Sequence, residues 1–286
     1  MARTNIIGVD LGGTNVRVAA VRQQRLGEVS SAAVNPQGSV EEVLDQLCAL
    51  IDRAGPRDAD GIGIGVPGLV DLDRGVVFDL MNIPSWKEVP LGSILEKRYG
   101  VPVLVNNDAN CFALGEKHFG KGIGHRSLVG AIVGTGFAAG IIIDGRLYAG
   151  AHCGAGEFGT LPYRDGIYEH YCGGLFFPRR AGQTGAEMYR RATEGDREAL
   201  EIFAEFGHHL GEGIKAIVYA YDPGLIVLGG SVRKAFRYFH EAMWESIRTF
   251  AYANSLESLT IEVSELEHVA ILGAAALHLD AERAAG

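Results

Sequence analysis

An internal repetition limits the possible folds more than any other feature. The run Ile7-Gly-Val-Asp-Leu-Gly-Gly-Thr-Asn-Val-Arg-Val-Ala-Ala-Val21 is echoed by Val129-Gly-Ala-Ile-Val-Gly-Thr-Gly-Phe-Ala-Ala-Gly-Ile-Ile-Ile143. Each reads as an apolar strand, a Gly/Thr turn and a second strand. The copies lie roughly 120 residues apart, far beyond a solenoid period. The spacing therefore implies a duplicated fold whose halves each present one turn to a shared cleft. Composition agrees with the need for tight turns: 40 of 286 residues are glycine while proline is ordinary at 9. Glycine usage is normally about 7%. No G-x-y period is present, so collagen is excluded.

The rest of the composition narrows the class. The length suggests about two domains, at roughly 150 residues each. The net charge is −9 and no Lys/Arg run occurs, which argues against a nucleic-acid partner. Cys48, Cys111, Cys153 and Cys172 form no C-x2-C pair, so reduced thiols in a cytoplasmic protein are expected. Met1 to Asn5 lacks the apolar region of a signal peptide. The longest apolar stretch, Leu128 to Ile143, is interrupted by Gly130, Gly134, Gly136 and Gly140. It suits paired strands better than a membrane helix.

Periodicity gives an α/β chain. A hairpin is expected over Asn5–Val21 and helices over Val40–Ala54, Leu91–Tyr99 and Asp108–Phe119. Strands are expected over Asp60–Pro67, Val101–Val105 and Leu225–Leu228, a hairpin over Leu69–Phe78 and further strands over Leu128–Tyr148. Helices over Asp196–Tyr221, Ala235–Ala253 and Ile271–Arg283 complete the chain. The glycines gather in the first hairpin, in Gly61–Gly68, and in Gly120–Gly159, which holds 12. We read these gatherings as close backbone approach to a ligand.

The two turns suit phosphate. Clustered backbone N–H groups hold phosphate oxygens, and threonine adds a hydroxyl donor. Asp10, Gly12, Gly13, Thr14 and Asn15 offer a cradle beside a carboxylate, and Gly134, Thr135 and Gly136 offer a second cradle. There is no P-loop motif. Gly63-Ile-Gly-Val-Pro-Gly68 matches G-x-G-x-x-G only formally, because Pro67 sits inside it and no helix follows. Asp108 follows a strand and either caps the next helix or acts as a general base at the strand's carboxyl end. Asn107 offers a neighbouring donor and acceptor. Glu157, in Gly154-Ala-Gly-Glu-Phe-Gly159, is either a solvated loop acid or a carboxylate that accepts from sugar hydroxyls.

An ordered set of motifs runs through the chain: Asp10-Leu-Gly-Gly-Thr-Asn-Val-Arg17, Gly65-Val-Pro-Gly68, Asn82-Ile-Pro-Ser-Trp86, Asn106-Asn-Asp-Ala-Asn110, Gly134-Thr-Gly136, Gly154-Ala-Gly-Glu157, Leu228-Gly-Gly-Ser231 and Ile271-Leu-Gly-Ala-Ala275. Together they resemble the ROK family of sugar kinases and repressors. The resemblance implies a two-domain actin-like ATPase (ribonuclease-H-like) fold with duplicated mixed-sheet cores and an interdomain cleft. The implied domains are 1–115 and 116–270, with helix 271–286 packed back on the first. The implied activity is ATP- and Mg²⁺-dependent phosphorylation of a hexose at its 6-hydroxyl. By the resemblance, Asp10 would hold Mg²⁺ through water. Gly12, Gly13, Thr14, Asn15, Gly134, Thr135 and Gly136 would face the phosphates, and Gly229 and Gly230 the adenosine. Asp108 would be the general base, and Gly68, Asn82, Asn107, Glu157 and Glu169 would bind sugar. A homodimer and no membrane partner are also implied.

The resemblance fails after Gly159. Most relatives continue with a histidine and a Cys-rich zinc loop, but Thr160 replaces the histidine and the C-x-C-G…C set is missing. No structural zinc is expected; the rival ligand set is His152, Cys153, His170 and Cys172. Tyr163, Arg164 or Asp165 is left to fill the gap. His208-His209 is read as ordinary surface or core histidine, and Tyr238, Phe239, Trp244 and Phe250 as helix packing. Trp86 either covers a sugar or lies in the core. The competing functions are a kinase for fructose, mannose, allose or an N-acetylhexosamine, a repressor, and a non-catalytic sensor. A repressor would need an added helix-turn-helix, whereas the first strand begins at residue 5.

Overall fold

The computed structural model describes residues 5–80 and 82–284. The chain begins with β1 (Asn5–Leu11), β2 (Asn15–Arg22), β3 (Arg25–Leu26), β4 (Ser30–Ala33), α1 (Val40–Arg53) and β5 (Gly61–Val66). Next come β6 (Leu69–Asp71), β7 (Val76–Phe78), β8 (Glu88–Val89), α2 (Leu91–Tyr99), β9 (Val103–Asn107) and α3 (Asp108–Phe119). The middle holds β10 (Leu128–Val133), β11 (Phe137–Ile143), β12 (Arg146–Leu147), β13 (Pro162–Tyr163) and β14 (Gly166–Ile167). Helices α4 (Glu169–Cys172), α5 (Phe176–Ala181), α6 (Gly185–Thr193) and α7 (Arg197–Tyr221) follow. The last elements are β15 (Leu225–Gly229), α8 (Phe236–Ile247), α9 (Ala253–Glu257), β16 (Thr260–Val263) and α10 (Val269–Ala284).

The two main sheets match strand for strand. One has the order β3-β2-β1-β5-β9, with β4 beside β2; the other has the order β12-β11-β10-β15-β16. In the first, β1 pairs antiparallel with β2 and parallel with β5, and β5 pairs parallel with β9. In the second, β10 pairs parallel with β15, and β15 with β16. The repeated sequence thus occupies the same sheet position twice, as β1–β2 and as β10–β11.

The chain divides into two compact units. Unit 1 comprises the described residues of Met1–Arg126, Gly140–Ala155 and Glu265–Gly286; unit 2 comprises Ser127–Ala139 and Gly156–Ser264. The core of unit 1 is formed by β1, β2 and β5 against α1, whose Val43, Leu47, Leu50 and Ile51 are buried. A capping box between Ser39 and Glu42 starts that helix, satisfying two backbone donors that would otherwise be orphaned.

The helix expected to run to Ala253 ends at Ile247, where the Thr249 hydroxyl donates to the Ser246 carbonyl at 2.7 Å. Such local bonds compete with continued helix. The glycines also have a second use. A Cβ at Gly63 of β5 would lie 1.8 Å from the Ala274 carbonyl oxygen, and one at Gly61 would lie 2.5 Å from the His278 ring. These glycines therefore face α10, not a ligand. A Cβ at Gly273 would fall 1.6 Å from the Cys111 carbonyl oxygen, so α10 and α3 meet backbone to backbone. Much of the glycine excess is helix packing, which composition alone cannot distinguish from ligand approach.

Candidate active site

In unit 1 the sequence candidates gather at the carboxyl ends of β1, β5 and β9. Asp10 lies in β1 opposite Arg17 of β2, and the two form an ion pair of 3.1 Å. Burial pushes the Asp10 carboxyl above its ordinary range, and Arg17 opposes the rise. Beyond it, the Gly12 N–H donates to the Asn15 carbonyl at 2.9 Å and closes the turn. The Asn15 amide donates to the Thr14 hydroxyl at 3.1 Å. A Cβ at Gly13 would lie 2.3 Å from the Asn82 side-chain nitrogen. Only glycine admits Asn82 there, so a residue expected at the sugar touches the phosphate-type turn.

Around Asp108 the polar groups form a network. Asn107, not Asp108, caps α3: its side-chain oxygen accepts from the Ala109 N–H at 2.8 Å. The Asn107 amide also donates to the Gly68 carbonyl at 3.1 Å, joining two expected sugar ligands. Gly68 has φ of 106°, a backbone state that favours glycine. The Asn106 side-chain oxygen accepts from the Asn107 N–H, the Asn110 amide and the Cys153 thiol, at 2.8, 2.9 and 3.2 Å. Asp108 begins the helix and its Oδ1 also accepts from the Ala109 N–H, at 2.8 Å. Burial, then the charges of Asp108 and Asp10, hold the Cys111 thiol well above its ordinary range. A Cβ at Gly65 would lie 3.1 Å from the Cys111 sulfur and 3.7 Å from the Asp108 Cα, and Gly65 pairs with Asp10, so both acids lie at the same corner of unit 1. Trp86 is fully buried in the unit 1 core, so it does not cover a sugar.

In unit 2 the Gly134 N–H donates to the Gly136 carbonyl at 3.1 Å. A Cβ at Gly136 would lie 2.1 Å from a Glu169 carboxylate oxygen. Burial, reinforced by the charge of Glu169, pushes the Glu157 carboxyl up. The two expected sugar acids thus come together beside the second turn. Thr160 is exposed, and its hydroxyl donates to the Glu157 carbonyl at 2.8 Å. Gly230 has φ of 82°, and a Cβ there would meet the Val133 carbonyl oxygen at 2.3 Å.

A cavity of about 490 Å³ opens on this turn, lined by Thr135, Leu175, Tyr189, Phe203, Ser231 and Lys234 among others. Gly134 also lines it. Its mixture of aromatic surface, a glycine turn and one ammonium suits a base with phosphates attached. Sequence reasoning named Gly134 and Thr135 but missed Tyr189 and Lys234. Neither lies in a motif, so only folding brings them to the turn. Tyr238 packs on Phe203 and Tyr189, at ring distances of 5.8 and 6.0 Å, in keeping with helix packing.

A match to the ROK family spans residues 6–281. The chain belongs to the ROK family. This ROK protein is 28% identical to a glucokinase of Thermotoga maritima, over 97% of this chain and 98% of the relative. It is 30% identical to a xylose repressor of Caldicellulosiruptor bescii, over 94% of this chain and 76% of the repressor. Among solved structures, the ROK glucokinase of Streptomyces griseus in complex with glucose and AMPPNP matches with a TM-score of 0.83 and 29% identity. That match covers 96% of this chain and 98% of the other. The fold is accordingly the actin-like ATPase fold, here with two matching mixed α/β sheets.

Two residues of the rival zinc set, Cys153 and Cys172, have other partners in separate units. The Cys153 thiol donates to Asn106 in unit 1, and the Cys172 thiol donates to the His209 carbonyl at 3.2 Å in unit 2. His152 is exposed. Among the described residues no three His, Cys, Asp or Glu side chains converge on a point that fits a metal ion. Likewise, no described helix is long and apolar enough to cross a membrane.

Proposed function

We propose that this ROK protein phosphorylates a hexose at its 6-hydroxyl with ATP. The observation that carries the reading is the unit 2 cavity, which combines aromatic lining with the Gly134–Thr135 turn. ATP would lay its base there, near Gly229 and Gly230. Its phosphates would meet the N–H groups of Gly134, Thr135 and Gly136 and of Gly12, Gly13, Thr14 and Asn15. The glucose and AMPPNP bound to the Streptomyces griseus relative support the same ligand classes.

Asp10 offers a hard oxygen, the donor type Mg²⁺ takes while keeping most of its waters. Mg²⁺ held there would supply charge neutralisation at the transferring phosphoryl group. Gly68, Asn82, Asn107, Glu157 and Glu169 would hold the sugar hydroxyls. The sugar O6 attacks the γ-phosphorus, the bond to the bridging oxygen breaks, and ADP leaves. The O6 proton passes to the Asp108 carboxylate. Asn107 supports this role, because its own capping bond anchors the first turn of the helix that begins with Asp108.

Similarity to a xylose repressor favours one second reading, a sugar sensor without turnover. The presence of both Asp10 and Asp108 supports the kinase. An ADP-release screen over glucose, mannose, fructose, allose, N-acetylglucosamine and N-acetylmannosamine decides between them. Turnover on at least one sugar is expected; binding of a sugar with no turnover on any would establish the sensor.

A further inference from the structure

Glu169 sits on α4, a helix of four residues. One turn cannot sustain itself in water, and its N-terminal residue Tyr168 provides no side-chain cap. Something else must hold the carboxylate over Gly136. Behind α4 the Gly174 N–H donates to the Gly134 carbonyl at 2.7 Å and fixes the backbone, whereas the side-chain attachments converge on the β13–β14 hairpin and on His209 of α7. Tyr163 stacks on Tyr168 with centroids 4.4 Å apart and planes 12° from parallel. The Tyr163 hydroxyl meets His209 Nδ1 at 3.0 Å. Tyr171 sets its ring edge-on to Tyr163 at 5.2 Å and to His209 at 4.9 Å. The Cys172 thiol closes the far end of α4 on the His209 carbonyl. His209 is fully buried and therefore makes a fixed anchor.

We propose that Tyr163 is a positioning residue that holds Glu169 over the Gly134–Gly136 turn, acting through its stack on Tyr168 and its hydrogen bond to His209. Tyr163 is the first inner ring of the cluster, and Arg164 lies over its face at 5.7 Å. Aromatic pairs of this kind contribute beyond the area they bury. The chain between Glu157 and Glu169 is thereby fixed at both ends. Glu157 rests on the turn that begins at Gly156, and Glu169 rests on the aromatic cluster. The relative placement of the two acids is the quantity that Tyr163 controls. Only the kinetic arm of the test below rests on the sugar-binding role given to Glu169 above.

The test follows the Glu157 carboxyl by ¹³C NMR titration in the full chain, because burial and then the charge of Glu169 raise it. Glu169→Gln gives the reference fall in the Glu157 midpoint. Tyr163→Ala is expected to lower that midpoint by at least ~0.5 pH unit, as a displaced like charge requires. Tyr163→Leu, which keeps apolar bulk, is expected to do the same if Tyr163→Ala fails to fold. Tyr163→Phe retains the stack and is expected to recover most of the wild-type midpoint. In the kinetic arm, Tyr163→Ala raises the sugar KM about tenfold and leaves the ATP KM unmoved. Combining it with Glu169→Gln adds little further loss, because both act on one contact. A Glu157 midpoint in Tyr163→Leu equal to wild type would overturn the proposal. Absence of turnover in the wild type would instead count against the kinase reading and leave the NMR result standing.

Discussion

The two glycine turns occupy equivalent places in matching sheets, yet they obtain their acid differently. The first carries its own: Asp10 lies in β1 and is held by Arg17 across the strand pair. The second has no acid within β10 or β11 and borrows Glu169 from α4, whose carboxylate lies over Gly136. The acid of the first turn is positioned by sheet register, which is stiff. The acid of the second depends on one short helix and the aromatic cluster behind it. The two turns thus share a backbone cradle and differ in what supplies the charge beside it.

Of changes at the two turns, the largest effect should come from removing the acid built into the first. Asp10→Asn is expected to lower turnover by about 10²–10³-fold, as loss of an electrostatic partner of the phosphoryl group implies. It should also raise the Mg²⁺ concentration needed for half-maximal rate. A loss that extra Mg²⁺ fails to relieve at all, in a variant of normal stability, would remove Asp10 from that role.

The borrowed acid should show its dependence on the cluster as acid sensitivity of stability. Burial, with the charges of Arg164 and His208, lowers the His209 pKa to about 4, while Glu205 and Glu212 oppose the fall. Tyr163, Tyr171, Phe176 and Cys172 also pack around it. An unfolded histidine titrates near 6.5, so the unfolded chain binds more protons between the two values. His209 therefore contributes stability that is full above about pH 6.5 and is lost as pH falls towards 4, up to ~3 kcal/mol. Urea melts at pH 7.5 and 4.5 should show a smaller difference in His209→Gln than in wild type. An equal difference would contradict the assignment.

Glycine replacement compares the two turns directly. Gly136→Ala drives a Cβ against the Glu169 carboxylate, and Gly13→Ala drives one against Asn82. Each should cost about tenfold in the affected constant, or ~1.4 kcal/mol. Sugar KM should rise with Gly136→Ala, whereas Gly13→Ala should raise both sugar and ATP KM. Identical patterns would erase the distinction between a built-in and a borrowed acid. The smallest effect belongs to Arg17→Ala. Its partner is mostly buried, but Arg17 itself is 44% exposed, so stability should fall by less than ~1 kcal/mol. The Asp10 carboxyl should rise further, which ¹³C titration would detect.

Much of this arrangement is legible in the sequence because it is local. The β1–β2 hairpin, α1 and α3 follow from alternation, helical spacing and capping residues within a few positions of one another. The acids Asp10, Asp108 and Glu157 stand in recognisable motifs, whereas Glu169 stands in none and is reached only through the family resemblance. The unread parts depend on distant contacts. Helices α5 and α6 are short, and their buried residues Phe176, Phe177, Met188 and Ala192 gain meaning only against α7. Asn107 takes the helix cap from Asp108 although both residue types suit that position. The glycines of β5 look ligand-facing until α10 lies on them. Lys234 and Tyr189 join the cavity from separate elements, with no motif to connect them.

The most direct measurement is ADP release by Asp108→Asn, with sugar binding followed in parallel by calorimetry. Asparagine keeps the size and the helix start but cannot take the O6 proton. The expected result is a kcat about 10³-fold lower on the best sugar, within the range of general-base catalysis, with the sugar Kd nearly unchanged. An Asp108→Asn enzyme retaining more than a tenth of wild-type kcat would show that another group accepts the proton.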